Sequence, residues 1–253
     1  MTTPAELFDL SGKVALVTGG SRGLGREIAG AFAAAGADVL IASRKRDACL
    51  RAAEEIRSAT GRRAVGYSCH VGRWDEIDRL VEAAYAEFGS VDILVNNAGM
   101  SPLYEAPSTV GEELYDKVLS VNLKGPFRLM AVIGARMAAS TGGSIINISS
   151  GGSVRPRPEI LPYAAAKAGL NAMTVGFAHA LGPSVRVNTL MPGPFLTDVS
   201  AAWDSRSARA RHAAYALGRA GRPAEIVGAA LYLASDAASF TTGATLAVDG
   251  GMP

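Results

Sequence analysis

Charge is sparse and nearly balanced in this 253-residue chain. It has 25 Lys and Arg against 23 Asp and Glu, a formal net charge of +2, and 19% charged residues in all. Aromatics are few as well, at 6%, so the sequence offers neither the basic stripe nor the stacking residues of a nucleic-acid platform, and no nucleic-acid partner is expected. The two cysteines, Cys49 and Cys69, make neither a disulfide framework nor a metal-ligand spacing. The three histidines (His70, His179, His212) form no His-x-x-x-His pair, so no metal site is expected. A reducing compartment, the cytoplasm, is the expected location. No run of 18 or more uncharged apolar residues could span a bilayer, and Met1-Thr2-Thr3-Pro4-Ala5-Glu6 has neither a basic nor an apolar leader region, so no membrane association is expected.

What is present is bulk and rhythm. With 49% hydrophobic residues the chain is not disordered, and at this length it buries roughly three quarters of its unfolded surface without disulfide or metal. From residue 12 onward short β-branched apolar runs alternate with longer Ala-rich amphipathic stretches. Strands are predicted at Val14–Val17, Asp38–Ile41, Ala64–Tyr67, Asp92–Val95, Ser144–Ile148, Val185–Asn188 and Thr245–Val248. The helices between them are predicted to stop at Gly36, Gly61, Gly89 and Gly182-Pro183. This is the pattern of an α/β fold: a doubly wound parallel sheet of about seven strands with helices on both faces, in one domain spanning residues 1–253. The longest irregular stretch, about 194 to 222 around Trp203, is expected to be a lid over the substrate.

After the first predicted strand comes Thr18-Gly19-Gly20-Ser21-Arg22-Gly23-Leu24-Gly25-Arg26. Glycines at 19, 23 and 25 allow a tight turn, a close approach to a pyrophosphate and packing of the next helix, whose N-terminal N–H groups attract phosphate. Three further motifs follow in order: Asn96-Asn97-Ala98-Gly99, Tyr163-x-x-x-Lys167, and Asn188 through Thr197 with Pro192-Gly193. Thr242-Gly243 through Asp249-Gly250-Gly251 closes the chain. Together these resemble the short-chain dehydrogenase/reductase family, from about Leu10 to Gly251, with 3-oxoacyl-carrier-protein reductase as the specific likeness by overall similarity.

The resemblance implies a Rossmann fold and a nicotinamide cofactor. Its expected contacts are Gly19, Ser21, Arg22, Gly23, Leu24 and Gly25 in the first turn, and Ser43 and Arg44 at the end of the second strand. His70 and Val71 follow the third strand, Asn97, Ala98 and Gly99 the fourth, and Pro192, Gly193 and Thr197 the sixth, with Tyr163 and Lys167 completing the set. The second strand ends in Ala42-Ser43-Arg44-Lys45-Arg46, with no acid before Asp47. Arg22 and Arg44 can form charge-assisted forks to a ribose 2′-phosphate that a carboxylate at Ser43 would repel, so NADP(H) is the preferred cofactor and NAD(H) the alternative. His70 stands where the family commonly has Asp or Asn. It either offers a ring nitrogen to adenine or is a surface side chain.

Tyr163 and Lys167, four apart on a stretch of small residues, share a helix face. Bringing a phenol from a pKa of about 10 to about 7 takes roughly 4 kcal/mol, which a neighbouring ammonium and an oxidised nicotinamide can supply. Ser150, thirteen residues before Tyr163, matches the family's catalytic serine; Ser149 alternates to the other face. Asn122 matches the fourth catalytic member, which in the family holds a water leading to the lysine. The implied reaction interconverts a ketone and a secondary alcohol by hydride transfer, with Tyr163 as general acid/base and a small-molecule carbonyl or alcohol as partner.

Met100, Leu103, Tyr104, Phe195, Leu196 and Trp203 either suit an apolar substrate or simply pack the lid shut; Arg155 and Arg157 are either an anion site or a solvated face. A 3-oxoacyl-carrier-protein reductase needs basic residues beside the active-site entrance. Ala138-Ala139-Ser140-Thr141-Gly142-Gly143 and Ala178-His179-Ala180 supply none, which ranks that activity second. A non-catalytic NADP(H)-sensing regulator is the remote third. The family's habit implies a homotetramer.

Overall fold

The structure, a computed structural model, describes residues 3–197 and 213–253. A short helix α1 (Pro4–Leu7) precedes alternating strands and helices: β1 (Val14–Thr18), α2 (Gly23–Ala34), β2 (Asp38–Ser43), α3 (Arg46–Thr60), β3 (Ala64–Ser68), α4 (Trp74–Phe88) and β4 (Ile93–Asn96). There follow α5 (Glu112–Leu119), a single π turn (Ser120–Lys124), α6 (Gly125–Ala138), β5 (Gly143–Ile148), α7 (Leu161–Leu181), β6 (Val185–Pro192), α8 (Val227–Ala234) and β7 (Thr245–Val248).

These strands form one sheet in the order β3-β2-β1-β4-β5-β6-β7, every neighbouring pair parallel. Residues alternate between its two faces. Ala15, Val17, Val39, Ile41, Ile93, Val95, Ile146 and Ile148 face a core shared with α2, α3 and α8. Leu16, Leu40, Leu94, Ile145 and Val187 face the opposite core with α4, α6 and α7. A large aliphatic side chain buried this way contributes about 2 kcal/mol relative to exposure, so strands without a polar face are stable only with helices on both sides.

The chain leaves β1 toward β2 and β3, then returns to place β4 on the other side of β1. The strand order therefore reverses between β1 and β4, and the carboxyl ends of these two strands border the crevice where such sheets hold ligands.

Two strand ends differ from the sequence expectation. Strand β6 runs four residues past Asn188. Its Val185–Leu190 portion pairs with β5 while Thr189–Pro192 pairs with β7, an offset that only the assembled sheet reveals. Asp92 precedes β4 because its carboxylate accepts the Val14 N–H at 2.8 Å. The helical run Glu112–Ala138 is long and apolar enough by composition to cross a membrane, with a mean hydropathy of 1.2. Val121, Leu129, Met130, Ile133 and Met137 nevertheless pack it into the core.

Candidate functional site

Thr18 ends β1 with a hydroxyl that joins the two central strands. It donates to the Val95 carbonyl (3.1 Å) and accepts from the N–H groups of Asn97 (3.0 Å) and Ala98 (3.1 Å). The Asn97 amide reaches back to the Thr18 and Gly19 carbonyls at 2.9 and 3.1 Å, so the glycine turn is closed against the end of β4. Closure leaves no room for side chains. Gly19 has a φ of +65°, and a Cβ at Gly25 would lie 2.3 Å from the Asn97 amide nitrogen and 2.6 Å from the Gly19 carbonyl oxygen. Leu24 packs into the core below. Helix α2 starts after Arg22, whose side chain does not cap its first N–H groups, and the helix dipole at this end favours an anion. The Thr197 methyl lies beside this turn, 3.5 Å from where a Gly23 Cβ would be. This cradle fits a dinucleotide pyrophosphate.

At the end of β2 the Ser21 hydroxyl donates to Ser43 (2.9 Å), and Ser43 is in turn hydrogen-bonded to the buried Cys49 thiol (3.0 Å). The Arg44 carbonyl accepts from Ser68 at 3.2 Å, which fixes the backbone, while its exposed guanidinium makes no ion pair with any described residue. His70 is half-buried in a turn. Its Nδ1 accepts the Gly72 N–H at 3.1 Å and its own N–H is held by Glu76 at 2.7 Å, while Val71 is buried.

The reacting groups meet at the end of β5. Lys167 is buried and its Nζ donates to the Ile148 carbonyl at 2.7 Å, 5.8 Å from the centre of the Tyr163 ring. The Ser150 hydroxyl accepts from the Gly152 N–H at 3.1 Å and lies near enough to Tyr163 to act on its phenol. Ser149, buried, turns instead toward the Lys167 carbonyl at 3.4 Å. Asn122 is fully buried in the π turn. Its amide nitrogen donates to the Met100 and Val118 carbonyls (2.8 and 2.9 Å) and its oxygen accepts the Met100 N–H (3.2 Å). Gly99 lies between Asn122 and Lys167: a Cβ on it would be 2.9 Å from the Asn122 side-chain oxygen and 3.7 Å from Lys167 Nζ. On the far side, the Gly193 N–H that follows Pro192 donates to the Val248 carbonyl at 3.0 Å.

Burial raises the Tyr163 phenol above its ordinary value, and the Ser150 hydrogen bond pulls it back down. Burial lowers the Lys167 amine from 10.5 to about 8. Between those two values the unfolded chain carries a proton on Lys167 that the folded chain lacks, so this residue makes stability rise with pH through that window, at up to about 1.4 kcal/mol per pH unit. Cofactor-free protein is therefore expected to gain roughly 2 kcal/mol from pH 8 to pH 10 relative to Lys167→Met. Denaturant titrations of both proteins across that range check this, and parallel stability curves would refute it.

On the substrate side the Tyr104 hydroxyl accepts the Leu161 N–H at 2.6 Å and donates to the Pro158 carbonyl at 2.7 Å, tying the loop after β4 to the start of α7. Pro102, Tyr104, Leu114, Val118, Ile160 and Pro162 pack against Tyr163 and leave no room among them for a water molecule. Leu103 and Leu196 are exposed, as are Arg155 and Arg157. Phe195, expected at the substrate, is instead buried against Gly221, because a parallel bridge joins these two residues. Trp203 and the rest of the expected lid from 198 to 212 lie outside the described residues. Sequence reasoning missed Ser153 and Asn171, which join the Ser150 turn to α7. The four-residue step from Lys167 to Asn171 was the available signal.

Comparison with known proteins is consistent along the chain. The family model described as enoyl-(acyl carrier protein) reductase matches residues 19–253. Dehydrogenase/reductase SDR family member 4 of Bos taurus is 38% identical over 245 residues, 96% of this chain and 88% of its own. The structure of a gluconate 5-dehydrogenase from Burkholderia cenocepacia J2315, in complex with NADP and tartrate, has a TM-score of 0.94 at 33% identity, covering 99% of this chain and 98% of that one. A 3-oxoacyl-(acyl-carrier-protein) reductase from Agrobacterium tumefaciens C58, with NADP bound, has a TM-score of 0.93 at 34% identity, again covering 99% and 98%.

Proposed function

The chain belongs to the short-chain dehydrogenase/reductase family of NAD(P)-dependent oxidoreductases, and from that premise we propose that it uses NADP(H) to interconvert a ketone and a secondary alcohol. The observation that carries the reading is the convergence of Ser150, Tyr163 and Lys167 at the end of β5, facing the crevice bordered by β1 and β4. When bound, the nicotinamide supplies or accepts hydride at its C4. Tyr163 gives its phenolic proton to the carbonyl oxygen as that oxygen gains charge, and Ser150 donates a hydrogen bond to the same oxygen. Lys167, charged at neutral pH, lowers the cost of the resulting phenolate. At about 6 Å and an effective dielectric of about 20 that attraction is on the order of 3 kcal/mol. Asn122 holds the loop at Met100 against the π turn and keeps Gly99 pressed toward Lys167.

Cofactor choice rests on Ser43, Arg44 and Arg22. A hydroxyl at 43 leaves the 2′-phosphate unopposed, and the Arg44 guanidinium, with no ion pair among the described residues, is available to it. The Ser43→Asp variant is expected to raise the KM for NADPH by about 30-fold and leave that for NADH within about threefold, since a carboxylate repels the phosphate and suits a ribose hydroxyl. Steady-state kinetics with both cofactors check this, and an unchanged ratio would count against NADP(H).

The apolar side chains packed around Tyr163, Tyr104, Val118 and Ile160 among them, support a small ketone as substrate. Reduction of a carrier-bound 3-oxoacyl group is the second reading, favoured by the NADP-bound Agrobacterium reductase. It is set back by the Ala-rich surface at Ala138–Gly143, where the nearby Arg136 is already paired with Glu82. The enzyme is read as a cytoplasmic homotetramer, its exposed Tyr115, Phe127, Val175 and Phe240 being available for subunit contacts. The deciding experiment follows NADPH oxidation with free ketones, sugar ketones and 3-oxoacyl thioesters. Turnover of the free ketones upholds the first reading, and turnover confined to carrier-bound thioesters replaces it with the second.

A further inference from the structure

Three consecutive residues at the end of β5 are each tied to α7. The Ile148 carbonyl accepts from Lys167 Nζ at 2.7 Å, and the Ser149 hydroxyl faces the Lys167 carbonyl at 3.4 Å. The Ser150 carbonyl accepts from both the Ser153 hydroxyl (2.7 Å) and the Ser153 N–H (2.9 Å). The Ser153 hydroxyl in turn accepts from the Asn171 amide nitrogen at 2.9 Å.

Asn171 stands one turn beyond Lys167 and two beyond Tyr163, so a single stripe of α7 carries phenol, amine and amide. The polarity of this chain is fixed. A hydroxyl has one hydrogen, and Ser153 gives its hydrogen to the Ser150 carbonyl, so its partner on α7 has to be a donor. Asn171 is that donor, and its own buried oxygen has no partner among the described residues, so among them the amide only gives.

We propose that Ser153 and Asn171 are positioning residues that hold the Ser150 hydroxyl in register with Tyr163. The proposal rests on the oxidoreductase reading above. It assigns the two residues no contact with substrate or cofactor; they act through the backbone of Ser150. Asn171→Asp keeps the shape but reverses the polarity. The Ser153 hydrogen then turns to the carboxylate and abandons the Ser150 carbonyl. Ser153→Ala removes the connection outright, while Ser153→Thr retains a hydroxyl.

The test measures kcat and the KM for NADPH on the full-length chain, together with the titration of Tyr163. That titration is the alkaline absorbance step missing from a Tyr163→Phe reference. Asn171→Asp and Ser153→Ala are expected to lower kcat about tenfold, since small misplacements of reacting groups are costly. The KM for NADPH should stay within about twofold, and the Tyr163 titration should move upward as the Ser150 hydrogen bond loosens. Ser153→Thr should restore both kcat and the titration. A Tyr163 titration that stays in place, or a kcat within twofold of the parent in both variants, overturns the proposal. If Asn171→Asp fails to fold, the loss of one oxygen in Ser153→Ala carries the same test. Absence of turnover by the parent chain with every ketone would instead sink the oxidoreductase reading, and the titration would still be readable.

Discussion

Tyr163→Phe is expected to lower kcat by about three orders of magnitude while changing the affinity for NADPH by less than about threefold. The change deletes one oxygen from a ring whose packing against Ile160 and Pro162 is kept. Ser150 still donates a hydrogen bond to the substrate oxygen but cannot readily give up its proton, so the loss falls on proton transfer, typically worth 10² to 10⁴ in rate. Lys167 remains anchored to the Ile148 carbonyl, which isolates the missing phenol as the cause. Stopped-flow turnover beside a fluorescence titration of NADPH separates the two effects. A kcat within tenfold of the parent means that another group delivers the proton.

Gly25→Ala should have the next largest effect, this time on binding. The added methyl would sit 2.3 Å from the Asn97 amide nitrogen and 2.6 Å from the Gly19 carbonyl oxygen. The carbonyl belongs to the backbone of the turn, and the amide is fixed by its bonds to Thr18 and Gly19, so neither neighbour can yield cheaply. Overpacking of this kind costs typically 1–3 kcal/mol. Here it is expected to force the turn open and weaken NADPH binding by about 30-fold, with the circular dichroism of the sheet preserved. Calorimetric titration with NADPH decides the point, and an unaltered dissociation constant would remove this turn from the binding site.

The parallel sheet was legible because its strands are buried on both faces and read as unbroken apolar runs between glycine stops, as Val14–Thr18 and Asp38–Ser43 do. The four-residue step from Tyr163 to Lys167 places both on one helix face, whereas Ser150 was singled out by the resemblance to the family. The path of β6 was not, since the pairing of Thr189–Pro192 depends on where a strand more than fifty residues later comes to lie. The Asp92 carboxylate, chemically at home on any surface, ends up completing the hydrogen bonding of β1. Phe195 was read as facing the substrate because nothing local shows that Gly221 opens a place for its ring. Ser153 and Asn171 escaped notice for a related reason: Asn171 reaches Ser150 only through the Ser153 hydroxyl, and that hydroxyl ends on a backbone carbonyl, which leaves no mark on the residue types of a sequence.

In the cofactor site proposed above, the imidazole that follows β3 bears on base recognition. With Nδ1 accepting the Gly72 N–H, the ring must carry its hydrogen on Nε2. A carboxylate at that position would present lone pairs to an exocyclic amine; this ring offers a hydrogen in their place. A purine docking here would be met through one of its own ring nitrogens, so analogues in which that nitrogen is replaced by carbon should be discriminated against more sharply than those altered at the amine.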